Sequence, residues 1–196
     1  MRYSLTLEEV RQRCAKDGRV ALYRELLADL DTPVSAYLKI AGGDRGFLLE
    51  SVEHGERSAR YSFLGGEPRA MLVYDDGHAV LQRAGQPTQR AACTDPLLAL
   101  ADMLGPTNLS KDGLSPFCGG AVGYLGFEVV GCFERLSFGP PAEPAVPEAV
   151  FMLADPVIAF DHVLRMVRVI STVSSTDEEG IDASYAAAVA LSLIHI

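Results

Sequence analysis

Apolar residues recur along this chain with two periods, helical and alternating, and the changes of period mark its elements. Leu7, Val10 and Cys14 fall at helical spacing behind Thr6, with Glu9 at capping-box distance and Gly18 closing the run, so a short first helix is predicted. RVALYREL carries no decisive period and is assigned to a strand. In DTPVSAYLKIAGG, Thr32 stands as an N-cap, Pro33 takes the first helical position, and Gly42-Gly43 ends the helix. Strand patterns follow in GFLLESVEH, ARYSFLGG, RAMLVYD and HAVLQRA, the last two joined by Asp75-Asp76-Gly77, a tight-hairpin signal.

Asp95-Pro96 opens another helix, PLLALADML, and TNLSKDGLSP reads as a polar loop. FCGGAVGYLGFEVVGCFERL predicts a glycine-rich strand running into a helix. GPPAEPAVPEA holds four of the eleven prolines and reads as an extended surface crossing. AVFMLADPVIAFDHVLRMVRVIS is strand-rich with a hairpin around Asp161-His162, SSTDEEG is a solvated loop, and IDASYAAAVALSLI begins a helix. Strands in antiparallel pairs with a few flanking helices make the class α+β, with no internal repeat. The chain stops at LSLIHI, inside an apolar helix with no C-cap, and so reads as a piece of something longer.

Length and composition narrow the function classes. The 196 residues suit one large domain or one and a half small ones, and 48% apolar with 22% charged residues is ordinary soluble globular composition. A net charge of −9, with 17 basic residues scattered among 26 acidic ones, argues against a nucleic-acid or anionic-membrane partner. No apolar run approaches the roughly 20 residues that span a bilayer. Arg2 is followed by the charged, amphipathic YSLTLEEVRQRC rather than a signal segment, so a cytoplasmic location is expected. The four cysteines, at 14, 93, 118 and 132, show neither C-x-x-C nor a metal-type spacing with the four histidines, and read as small core hydrophobes in a reducing compartment.

Gly119, Gly120, Gly123 and Gly126 form no G-x-G-x-x-G and no phosphate loop, and read as close packing between a sheet and a helix. His54 and His78 fall in turns and are expected to be exposed; His162, at a strand end after Asp161, suggests a structural hydrogen bond; His195 lies in the tail. FLLESVEHGERSARYSF is different, because Glu50, Ser51 and Arg60 interrupt a half-buried strand pair with a carboxylate, a hydroxyl and a guanidinium. Such groups are costly to bury without partners. Two readings stand: Glu50 and Arg60 form an ion pair across the strands, or the group binds a small zwitterion. In the second, Glu50 takes the ammonium and Ser51 takes a carboxylate or an indole edge.

Taken together, TPVSAYLKI, FLLESVEHGERSARYSFLGGEP, PFCGGAVGYLGFEVVGCFERL and VIAFDHVLRMVRVIS resemble the N-terminal part of anthranilate synthase component I, from about Leu22 to Tyr185. The resemblance implies the antiparallel sheets of a large β-sandwich, here incomplete. It also implies an activity for the full protein: chorismate plus an amino group from ammonia or glutamine gives anthranilate and pyruvate, with Mg²⁺, in tryptophan biosynthesis. A glutamine amidotransferase component II would be the partner in a hetero-oligomer. Carried onto this chain, the L-L-E-S strand belongs to the allosteric site at which L-tryptophan inhibits its own synthesis. Ser51 would contact the tryptophan, Glu50 would stand by its ammonium, and Arg60 would line or support the site.

On this reading residues 1–185 are the family's N-terminal region and 186–196 a truncated or aberrant end. The catalytic chorismate-binding domain, with its Mg²⁺ carboxylates and every catalytic residue, lies outside the chain. A chain of this length would leave sheet edges and an apolar face uncovered. Alone it is expected to be inactive and to bind tryptophan weakly or not at all. Two rivals share part of the pattern: aminodeoxychorismate synthase component I of folate synthesis, and a free-standing amino-acid-binding module without catalysis.

Overall fold

The structure is a computed structural model and describes residues 3–27, 30–41, 43, 45–50, 60–105, 113–136, 138, 146–174 and 180–194. The chain runs through α1 (Leu7–Asp17), β1 (Arg19–Leu27), α2 (Pro33–Ile40), β2 (Phe47–Glu50), β3 (Tyr61–Gly65), β4 (Ala70–Asp75) and β5 (His78–Arg83). It continues with β6 (Gln89–Ala92), α3 (Pro96–Leu104), β7 (Gly120–Leu125), a 3₁₀ segment (Phe127–Cys132), β8 (Ala149–Ala154), β9 (Val157–Asp161), β10 (Met166–Ser174) and α4 (Gly180–Ile194). The strands form two antiparallel five-stranded sheets, ordered β1-β10-β9-β3-β2 and β6-β5-β4-β8-β7. Two compact units result, one from Met1–Pro68, Pro106–Gly120 and Ala154–Ile196, the other from Arg69–Gly105 and Ala121–Leu153. The α+β class expected from the pattern holds.

In the first unit, alternation along the strands sends successive side chains to opposite faces. One face carries Leu64, Ile158, Phe160, Val167 and Val169 against Ala36, Tyr37 and Ile40 of α2. Further along that face, Val20, Leu22 and Val173 pack against Val10 and Cys14 of α1 and Ile181, Tyr185 and Ala188 of α4. The other face buries Ala21, Ala159 and Ile170 with Leu114 and Cys118. Burying each of the valine, leucine and isoleucine side chains among these is worth about 1.5–3 kcal/mol.

Local chemistry sets the helix ends. Thr6 and Glu9 form the reciprocal capping box at α1, and Gly18 closes it in the left-handed region at φ 74°. Thr32 caps α2 with Pro33 behind it, while the closing position falls on Ala41; Gly42 lies outside the described residues. Asp95 accepts from the backbone N–H groups of Leu97 and Leu98 to start α3.

The second unit grows from the hairpin β4–β5, whose turn places Asp76 and Gly77 at φ 44° and 68°. Its core joins Leu72, Tyr74, Ala149 and Phe151 to Met103 of α3 and Val129. β6 was not legible: QRAA has no apolar alternation, every side chain of it is exposed, and it is held as an edge by the ladder to β5. The helix expected after the glycine-rich strand is instead a single 3₁₀ segment, with Val129 N–H bonded to the Gly126 carbonyl and Phe133 N–H to the Val130 carbonyl. Gly131 and two adjacent valines in six residues disfavour a longer α-helix. Most of the loops predicted at TNLSKDGLSP, GPPAEPAVPEA and SSTDEEG lie outside the described residues.

Candidate functional site

Three neighbouring strands build the candidate site. β2, the edge strand, ends at Glu50, whose register partner on β3 is Ser62; Ser62 in turn faces Phe160 of β9. Beyond β3 the pairing continues, because His162 N–H donates to the Arg60 carbonyl at 2.9 Å. Glu50, Ser62 and His162 therefore meet at one corner of the sheet. Ser51 and His54 lie outside the described residues, as does His195.

Of the two readings, the Glu50–Arg60 ion pair is not formed. Antiparallel register puts Glu50 opposite Ser62, and Arg60 reaches Asp161 instead: Nη2 lies 2.7 Å from Oδ2, and Nε lies 3.1 Å from Oδ2 and 3.3 Å from Oδ1. The Asp161 side chain is only 3% exposed, whereas that of Arg60 is 43% exposed. Asp161 Oδ1 also accepts from the Val163 and Leu164 N–H groups at 3.1 and 3.0 Å, closing the turn into β10. Burial pushes this carboxyl up, but Arg60 and the two backbone N–H groups outweigh burial and hold it below the usual carboxylate value. The hydrogen bond to Asp161 raises the Arg60 guanidinium in turn.

Arg60 also lies over the Tyr61 ring, 4.9 Å from its centroid. Tyr61 stacks on Phe63 at 5.9 Å, Phe63 meets Phe117 edge-on at 5.6 Å, and Phe117 meets Phe47 at 6.3 Å. Buried Ser62 donates to Glu50 Oε1 at 3.5 Å and stands 2.7 Å from His162 Nε2. The His162 ring stacks on Phe160 at 6.4 Å. The hydrogen bond expected of His162 is present, and its partner is Ser62.

Sequence reading missed Ser62 and Asp161 as members of this corner. Asp161 is 101 residues from Arg60, and only the β3–β9 register joins them. His78, expected exposed in a turn, is half-buried at the start of β5 with Nδ1 on the Asp76 carbonyl at 2.7 Å. The glycine cluster does not pack between a sheet and a helix: a Cβ on Gly123 would fall 2.8 Å from Phe151 Cα and against the Val150 carbonyl of the neighbouring strand β8, one on Gly126 would lie 3.0 Å from the Glu148 carbonyl, and Gly119 and Gly120 meet only ordinary contacts at φ 142° and 132°. The four cysteines form no disulfide with one another; Cys14 and Cys118 are buried among apolar neighbours, and Cys93 and Cys132 are half-buried.

Among the described residues, no group of three or more His, Cys, Asp or Glu could hold a metal ion, and no helix is long and apolar enough to cross a membrane. The Mg²⁺ that the resemblance implies is therefore not assigned to any described residue of this chain.

The fold defines an α+β protein of two antiparallel sheets with flanking helices. It is similar to the crystal structure of anthranilate synthase component I from Streptococcus pneumoniae TIGR4, with a TM-score of 0.51 and 24% identity, covering 87% of this chain and 36% of that one. The chain is a homologue of the N-terminal part of anthranilate synthase component I. It is 36% identical over 171 residues to that protein from Pseudomonas aeruginosa, covering 85% of this chain and 35% of the relative. With the Mycobacterium tuberculosis protein the match is 35% over 195 residues, covering 93% and 37%, and with that of Streptomyces coelicolor 38% over 149 residues, covering 76% and 26%. The chain thus spans about a third of the length of the relatives it matches. No family model matches it.

Proposed function

We propose that this chain is the N-terminal regulatory part of an anthranilate synthase component I, and that Glu50, Ser51 and Arg60 belong to its tryptophan feedback site. The observation that carries this reading is the polar end of β2 within a chain homologous to that enzyme. Glu50 presents an exposed carboxylate at the end of an edge strand, beside Ser51 in sequence. A carboxylate there suits the ammonium of a free amino acid. Arg60, anchored on Asp161 and lying over Tyr61, supports the wall of the corner.

On this reading the remaining two-thirds of the family's length carries conversion of chorismate to anthranilate and pyruvate, the Mg²⁺ site and the contacts to an amidotransferase component II. Residues 186–196 then depart from the family's course, and a cytoplasmic location accompanies the assignment.

The test uses the native polypeptide from its source, whose intact mass should be well above 21.0 kDa. In it, Ser51→Phe should raise the tryptophan concentration for half-inhibition about tenfold or more, which is about 1.4 kcal/mol, while uninhibited anthranilate formation persists. Turnover that collapses in step with inhibition, in a folded protein, would overturn the regulatory assignment. A product that keeps its pyruvyl group would point to the folate enzyme, and a native mass near 21.0 kDa to a free-standing module.

A further inference from the structure

The corner contains two side chains, Ser62 and His162, to which the proposed ligand contacts give no part. Ser62 is only 2% exposed, yet its hydroxyl sits between Glu50 Oε1 at 3.5 Å and His162 Nε2 at 2.7 Å. A hydroxyl has one proton to donate, a carboxylate can only accept, and a neutral imidazole carries its proton on one nitrogen. Both contacts are hydrogen bonds only if His162 Nε2–H donates to Ser62 Oγ and Ser62 O–H donates to Glu50. In the other tautomer Ser62 must give its proton to the imidazole, and Glu50 loses its donor.

We propose that His162 and Ser62 are positioning residues: together they form a directed relay, His162 Nε2–H to Ser62 Oγ–H to Glu50 Oε1, that holds the Glu50 carboxylate for the ammonium of an amino acid. The role of the carboxylate rests on the reading given above; the relay itself does not. Among the described residues Glu50 is in no ion pair, and Ser62 is its one side-chain hydrogen-bond partner. An exposed glutamate otherwise samples many rotamers, and fixing one beforehand removes part of the ordering cost that a ligand meets. The contact to Ser62 uses one lone pair of Oε1 and leaves the rest of the carboxylate for a cation.

The relay is held from both sides. Ser62 sits inside β3, paired to β2 and β9 at once. His162 is fixed by its backbone bond to the Arg60 carbonyl and by its ring contact with Phe160. Arg60 and Asp161, the charged groups on the flanking residues, are satisfied by each other. The relay thus joins the ends of three strands at one carboxylate.

The first measurement is the tautomer of His162 in this chain, by long-range proton–nitrogen correlation on histidine-labelled protein at a pH where the ring is neutral. A dominant Nε2–H form that loses its preference in Ser62→Ala is expected; a dominant Nδ1–H form overturns the relay. The second is L-tryptophan affinity of the native polypeptide by calorimetry. His162→Phe and Ser62→Ala should each weaken binding about tenfold, and His162→Gln, which keeps an N–H donor, should recover most of the loss. Binding unchanged in His162→Phe overturns the positioning role even if the tautomer is as expected. Wild-type protein that binds no tryptophan refutes the regulatory reading and with it the ammonium assignment, while the tautomer result still decides the relay.

Discussion

Asp161 is a carboxylate taken almost wholly out of water, and it stays charged because three donors converge on it. Its carboxyl lies below the usual carboxylate value in the folded chain, since Arg60 and the Leu164 and Val163 N–H groups outweigh the opposing effect of burial. A group whose folded value is depressed binds protons less readily than the unfolded chain does. Its stabilisation is therefore present above the unfolded value, near 3.9, and is lost as pH falls through the folded one. Urea midpoints measured from pH 7 down to pH 3 should fall with acid, and Asp161→Asn should flatten that dependence. The asparagine keeps an acceptor for the turn but no charge, so its cost at pH 7 is expected at about 1–2 kcal/mol. An unaltered acid slope would mean that other carboxylates dominate. Glu50 and Arg60 were visible in the sequence as a polar interruption, but their pairing was not. Register decides which of the two acids Arg60 meets, and register between β3 and β9 depends on residues a hundred positions apart.

Elements behave differently from pairs, because their ends are governed by neighbours within four residues. The capping boxes at Thr6–Glu9 and Thr32–Ser35 show this, although only the first was expected as a box. Thr6→Ala and Thr32→Ala should each lower the unfolding free energy by about 1 kcal/mol, read from thermal or urea denaturation. Glycine within strands acts over longer range. A Cβ at Gly65 would strike the Phe47 ring, which is a side chain in the β2–β3 pair and could shift; at Gly123 it would strike the backbone of β8, which cannot. Gly123→Ala is thus expected to cost about 2 kcal/mol or more and to exceed Gly65→Ala, measured side by side by denaturation. The strand β6 and the 3₁₀ segment escaped the pattern because neither is made by its own side chains. One is recruited by a neighbour's open edge, and the other is what remains when a six-residue stretch that follows Gly126 and contains Gly131 turns without room for a helix.

For the whole molecule, the two units each close an apolar core of their own, while the homology spans about a third of the matching enzymes. The chain by itself, supplied with chorismate, ammonium and Mg²⁺, is expected to form no anthranilate above the uncatalysed background, followed by product fluorescence. Anthranilate formed at a rate proportional to this chain alone would contradict the assignment of catalysis to the rest of the family's length. The net charge of −9 enters here as well, since it disfavours a polyanionic partner without selecting any particular protein.

Sequence alone determined what depends on local spacing: α1 and α2 from their capping residues, the β4–β5 hairpin from Asp76-Gly77, the α+β class from strand patterns in antiparallel succession, and the similarity to part of anthranilate synthase component I from motifs that can be read along the chain. Tertiary structure decided what depends on register: that Arg60 is held by Asp161, that Glu50 faces Ser62, and that His162 comes within 2.7 Å of that serine. The physical reason is one of range. Caps, turns and periods are satisfied within a few residues, so the residues that make them are neighbours in sequence. A buried charge or hydroxyl takes its partner from whichever strand the sheet places beside it, and that choice is made by the core as a whole.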